Sequence, residues 1–234
     1  MKVEINGTGL YYVKRGHGPA FVLLHGNGQD HTIYRALIRR LSKIYTVYAV
    51  DSRGHGKSRK VSKLNYMDIM KDFAQFISEL ELEEPILYGF SDGGIIGLLL
   101  AIHYPHLISK LIISGANTNP DGIKTFYRIL IKIGFFFTRS IKLEMMLTQP
   151  DISNEQLSQI VTPTLILAGS RDVIRREHTM NIAANIPGSI FEILDGEGHG
   201  SYIVSSDTLY FIMKPFLDGI LIRPEVEIPE ETEK

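Results

Sequence analysis

The sequence predicts an α/β protein with one mostly parallel, eight-stranded sheet and helices on both faces. Short apolar runs recur at the spacing of buried strands, and helical patterns separate most of them. The chain opens with two alternating segments joined by Gly7-Thr8-Gly9, which marks a hairpin. A Gly-Phe-Ser-Asp-Gly turn then lies between an apolar run and an apolar helix, the setting in which G-x-S-x-G carries meaning.

Taken in order, the hairpin strands are Val3–Asn6 and Leu10–Lys14. The parallel strands follow at Phe21–Leu24, Thr46–Val50, Pro85–Tyr88, Leu111–Ile113, Thr164–Ala168 and Ile190–Leu194. Helices are expected over 31–42, 66–82, 92–104, 175–185 and 206–219. In the second of these, Met67, Met70, Phe73, Ile77 and Leu80 recur at three- and four-residue steps, so they form the expected buried stripe. Residues 1–116 and 161–222 make the core on this reading. Residues 117–160 contain no good strand and read as a helical lid inserted above the carboxyl ends of the strands, where ligands bind in open α/β sheets. The same stretch, apolar with interspersed cations, also fits a basic amphipathic face for a membrane or a partner. Residues 223–234 hold five glutamates, two prolines and no aromatic residue, a composition that predicts disorder.

Composition excludes several classes. At 234 residues the chain fits one large domain with a sizeable core. A net charge of −1 gives no global field toward nucleic acid. With no cysteine there is no disulfide, thiolate catalysis or Cys-ligated zinc. Residues 1–7 lack the pattern of a signal peptide, and the apolar run 129–137 is short and carries Lys132, so neither export nor a membrane span is expected. The expectation is a cytoplasmic monomer or homodimer.

The chemistry gathers at Ser91. Gly89 and Gly93 flank a serine forced into a strained backbone, where a Cβ at either glycine would meet the neighbouring chain. The turn lifts the hydroxyl toward a helix N-terminus, which favours developing negative charge. A serine hydroxyl needs a base, and the base needs an orienting acid. Of eight histidines, His199 alone follows the last strand in a Gly-rich loop, Asp195–Gly200, at the strand's carboxyl end. His103 and His106 end the helix after the turn, and His17, His31 and His178 are expected to be exposed. Asp172, in Gly169–Asp172 after the preceding strand, is the expected acid; Asp121 is the reserve and Glu197 sits too near His199. The oxyanion is expected to bind the backbone N–H groups of Asp92 and Asn27, the latter by position and not by side chain. His25 then shapes the loop that carries Asn27. No metal or organic cofactor is called for.

These motifs together resemble the α/β-hydrolase superfamily over residues 1–220: His25-Gly26, Asp51–Ser58, the Ser91 turn, Gly169–Asp172 and Gly198-His199, in that order. The chain order Ser91, Asp172, His199 is the one expected of that superfamily. The resemblance implies the α/β-hydrolase fold, and it makes Asp51–Ser58 a structural turn, which leaves Asp51 and Arg53 out of the catalytic set. A serine at 91 separates the chain from the aspartate-nucleophile epoxide hydrolases and haloalkane dehalogenases of similar fold. Gly-Phe-Ser-Asp-Gly-Gly and Leu111–Asn117 are similar to a subgroup that includes biphenyl hydrolase-like (valacyclovir hydrolase-like) proteins. In that subgroup the acid beside the nucleophile helps hold a substrate ammonium, which would fall to Asp92. The implied activity is hydrolysis of a small-to-medium carboxylic ester through an acyl-enzyme. Thioester, lactone, amide or C–C bond hydrolysis and perhydrolysis use the same three residues, and the sequence does not separate them. A ligand-binding member of the fold without catalysis is the reading from another class.

Overall fold

Eight strands form one sheet: β1 Lys2–Ile5, β2 Thr8–Arg15, β3 Ala20–Leu24, β4 Thr46–Asp51, β5 Ile86–Phe90, β6 Lys110–Ser114, β7 Thr164–Arg171 and β8 Ile190–Gly198. The computed structural model describes residues 1–220, so the acidic run 223–234 lies outside the described residues. Strand order is β1-β2-β4-β3-β5-β6-β7-β8. β1, β2 and β4 pair antiparallel, and every pairing from β4 through β3 to β8 is parallel.

Alternation along the strands sorts side chains into two cores. Val22, Leu24, Leu87, Leu111 and Ile113 pack on one face, under α2 Tyr66–Glu79 and α3 Asp92–His103. Phe21, Leu23, Tyr88, Phe90 and Ile112 pack on the other, under α1 Arg35–Leu41 and α8 Thr208–Leu217. Asn65 caps α2 by accepting from the Asp68 N–H. The stripe of α2 is Ile69, Met70, Phe73, Phe76 and Ile77, whereas Met67 faces solvent. The first turn of the expected helix at 31–42 winds as a 3₁₀ turn, His31–Tyr34, started by the Asp30 side chain. Helix α3 is buried on every side from Asp92 to Ala101, because it lies between the sheet and α2. Between β6 and β7 come α4 Thr125–Thr138, α5 Ile141–Thr148 and α6 Asn154–Leu157; α7 Arg176–Asn185 joins β7 to β8.

One difference from the sequence expectation concerns the site directly. The sequence ends the strands at Ala168 and Leu194 and reads Asp195–Gly200 as a loop, yet β7 continues to Arg171 and β8 to Gly198, with Arg171 paired to Gly198 beyond a register shift. Glycine ordinarily marks a loop. Here Gly169 lets the two strands close, since a Cβ on it would overlap the Glu197 carbonyl.

Candidate active site

Strand β5 ends at Phe90 and α3 begins at Asp92, so a single residue, Ser91, makes the turn. It holds φ 53° and ψ −113°, a strained conformation for a residue with a side chain, at a cost of roughly 1–3 kcal/mol. Close packing maintains it. A Cβ on Gly89 would overlap the Gly93 carbonyl, and one on Gly93 the Leu24 carbonyl. The Ser91 N–H donates to the Ser114 carbonyl at 2.8 Å, which ties the turn to β6.

Asp172 and His199 directly follow the ends of β7 and β8. The structure brings Ser91, Asp172 and His199 together. His199 Nε2 lies 3.1 Å from Ser91 Oγ, and His199 Nδ1 lies 2.7 Å from Asp172 Oδ1. The Phe90 ring stands against the imidazole, with centroids 4.8 Å apart. Burial opposes ionisation of Asp172. The hydrogen bond and charge of His199, and the Ile174 N–H at 2.9 Å, outweigh it and hold the carboxyl below its ordinary value. Lys124, at the entrance to α4, donates through Nζ to the Asp172 carbonyl at 2.6 Å.

Asp92 is buried beside the serine. Its Oδ1 accepts from the Tyr66 hydroxyl at 2.8 Å and its Oδ2 from Asn27 Nδ2 at 2.9 Å. Burial pushes its carboxyl up to about 6, against the pull of those two donors. Asn27 Nδ2 also donates to the Lys142 carbonyl at 3.2 Å. The Asn27 side chain therefore holds its loop between α3 and α5, a role beyond backbone position. Among the described residues, no hydrogen bond from the backbone N–H of Asn27 or Asp92 is found.

The other candidates lie elsewhere. His25 Nε2 accepts from the Ser52 N–H at 3.0 Å and its Nδ1 faces the Gly26 carbonyl at 2.8 Å, so it joins the Asn27 loop to the turn after β4. Burial lowers the pKa of both His25 and His55, the latter to about 4. Two histidines expected to be exposed are not. His31 Nδ1 lies 2.7 Å from the buried Asp51, and His178 Nε2 accepts from the Thr118 N–H at 2.9 Å. Each fills a backbone or carboxylate need that only the folded chain creates. His17, His103 and His106 are exposed. Asp121 pairs with Arg128, and Glu197 accepts from Ser201.

Sequence reasoning missed Tyr66 and Gly115. Nothing in the pattern around Tyr66 marks it as a partner of Asp92. Gly115 lay inside the Leu111–Asn117 run, where a glycine just past a strand was the available signal, and it holds φ +60°. A Cβ there would stand 2.8 Å from His199 Nδ1, so glycine leaves room for the imidazole.

A cavity of about 370 Å³ opens over these residues. Ser91, Asp92 and His199 line its floor side; Tyr127, Leu130 and Ile131 of α4 and Leu143 and Met146 of α5 line it from the insertion. Most of the exposed wall is apolar, although Asn27, Gln29, Asn117 and Gln149 also line it, which suits a small molecule with an apolar body and some polar groups.

An alpha/beta hydrolase fold model matches residues 19–141. Human serine hydrolase BPHL is 28% identical, over 92% of this chain and 85% of that protein. The pimeloyl-[acyl-carrier protein] methyl ester esterase of Vibrio vulnificus (strain YJ016) is 30% identical over 45% of this chain and 40% of its own. Among solved structures, the meta-cleavage product hydrolase CumD of Pseudomonas fluorescens IP01 superposes with a TM-score of 0.78 at 19% identity, over 94% of this chain and 98% of that one. No helix among the described residues is long and apolar enough to cross a membrane.

Proposed function

The chain belongs to the α/β-hydrolase family and is a hydrolase; on that premise we propose that it cleaves a small-to-medium carboxylic ester through an acyl-enzyme on Ser91. The observation that carries the reading is the continuous contact from Ser91 Oγ through His199 to Asp172, at the base of an apolar cavity. His199 Nε2 takes the Ser91 proton as Oγ attacks the ester carbonyl. Asp172, below its ordinary pKa and so ionised at neutral pH, holds the Nδ1–H tautomer and stabilises the imidazolium. The backbone N–H groups of Asn27 and Asp92 receive the oxyanion. His199 then protonates the leaving alcohol, and water repeats the cycle on the acyl-enzyme. The strained Ser91 turn fixes the backbone that presents Oγ to His199. The apolar walls contributed by α4 and α5, acting as a lid, suit an apolar acyl or alcohol group. The methyl ester esterase named for the Vibrio relative agrees with an ester.

The experiment is intact mass after a fluorophosphonate probe, with turnover of p-nitrophenyl acetate and butyrate alongside. Wild type is expected to gain one adduct, at Ser91, and to turn over both esters. Ser91→Ala is expected to lose adduct and turnover while its circular dichroism and melting stay as in wild type. In His199→Ala the adduct should form far more slowly, by roughly 10³-fold or more. Wild-type-like turnover by Ser91→Ala would overturn the assignment. Adduct without ester turnover would move the reading to another acyl chemistry, for which a panel with matched acyl groups decides.

A further inference from the structure

Helix α4 leaves large apolar side chains in water, and no residue of it is buried. Phe126 is 66% exposed, Phe136 64% and Phe137 77%; Ile129 and Ile133 are half exposed. At 100° per residue, positions 126, 129, 133, 136 and 137 share one face. A second apolar face, Tyr127, Leu130 and Ile131, lines the cavity. Leu130 and Tyr127 belong to both settings, since each lines the cavity and is exposed in part. The outward stripe therefore runs without a polar break into the mouth of the site.

Charge selects the occupant. From Lys124 to Lys142 the chain carries five cations and no acid, in a protein whose net charge is −1. Lys124 and Arg128 are engaged at Asp172 and Asp121, and the Lys142 side chain is half-buried. Lys132 and Arg139 remain exposed. Lys132 lies one turn from both Ile129 and Phe136, on the flank of the stripe. Arg139 sits at its end, its guanidinium 5.7 Å from the rings of Phe135 and Phe136. A second copy laid on this face would set its exposed Lys132 and Arg139 against the same two cations. An anionic lipid surface offers the opposite charge for the flank and hydrocarbon for the stripe.

We infer that the outward face of α4, from Phe126 to Arg139, docks this protein onto anionic lipid surfaces, with the cavity mouth facing the lipid. The docking is monotopic: Phe126, Ile129, Ile133, Phe136 and Phe137 enter the acyl boundary while Lys132 and Arg139 meet headgroup phosphates. It deepens the ester reading by indicating where an apolar substrate enters, yet it depends on no catalytic residue.

The test is flotation of the full chain with phosphatidylcholine vesicles, with and without phosphatidylglycerol, at low and high salt. Binding is expected to the anionic vesicles, and to weaken as salt rises. Reversing two charges in Lys132→Glu/Arg139→Glu should cut it by roughly tenfold or more. Phe136→Ser/Phe137→Ser should abolish it while turnover of soluble p-nitrophenyl acetate stays at wild-type level, which shows that the variant is folded. Ser91→Ala should float as wild type does, so docking and catalysis fail separately. Absence from both vesicle types overturns the inference, as does binding indifferent to lipid charge. A concentration-dependent dimer dispersed by Phe137→Ser, without vesicle binding, also overturns it and assigns the stripe to a second copy.

Discussion

Burial of Asp92 sets a cost that depends on pH. The carboxyl is raised from 3.8 to about 6, because water is excluded around it and the donors Tyr66 and Asn27 recover only part of the lost solvation. The folded pKa lies above the unfolded one, so the group's stabilising contribution is complete below about pH 4 and is lost as pH rises through about 6. Above that range the charged form costs up to about 3 kcal/mol. Asp92→Asn is therefore expected to gain stability relative to wild type between pH 4 and pH 8, read as the difference in urea unfolding free energy. A gap that does not change with pH would mean that Asp92 is ionised in the folded protein as readily as in the unfolded chain. At Asp172 the environment acts in the opposite sense, through the imidazole and the Ile174 N–H, so the carboxyl next to Ser91 and the one behind His199 are shifted in opposite directions. Both departures follow from neighbours distant in sequence, which is why a residue pattern alone names Asp92 and Asp172 without their ionisation behaviour.

The turn after β4 is held to α2 by one buried ion pair. Arg53 donates through Nε to Asp72 Oδ2 at 2.6 Å and through Nη2 to Oδ1 at 2.5 Å, and Asp72 is wholly buried. The same turn is braced by Asp51, which accepts from the His31 and Lys57 N–H groups. Through Ser52 and His25 this bracing reaches the Asn27 loop. Arg53→Ala leaves a buried carboxylate without its partner, and a loss of roughly 3–5 kcal/mol is expected in urea unfolding. Adding Asp72→Ala should recover part of that loss, because the uncompensated charge goes with it. A single-variant cost under about 1 kcal/mol would show that water, together with the Asn6 amide already bonded to Asp72 Oδ1, makes up for the guanidinium. The resemblance places Asp51–Ser58 as a structural turn, and these bonds are the physical content of that role. At the other end of the site, β7 and β8 run further than glycine-rich segments suggest. Their extra pairing carries Asp172 and His199 to one edge, where their distance to Ser91 is set by strand register.

Across the molecule, burial is concentrated in the centre of the sheet. β3, β5 and β6 are covered on both faces, whereas no residue of α4 is fully buried. Native-state hydrogen exchange is expected to find the slowest amides in those three strands and the fastest helical amides in α4. Protection of α4 equal to that of β5 would show that its outward face is covered in solution. The sequence by itself determined the alternation of strands and helices, the hairpin, the insertion between β6 and β7, and the identity of Ser91, Asp172 and His199 as candidates. Those features follow from local period, from glycine at forced turns and from strand-end positions, all of which are written in neighbouring residues. Met67 belongs to the same local period but turned outward, because the sheet and α3 select which face of α2 is covered. Other features came only from the folded chain. Tyr66 and Asn27 meet at Asp92, Gly115 makes room for His199, and His178 turns inward to the Thr118 N–H. So does the double apolar face of α4. Each depends on side chains brought together across tens of residues, and the close packing that joins them has no repeat along the chain.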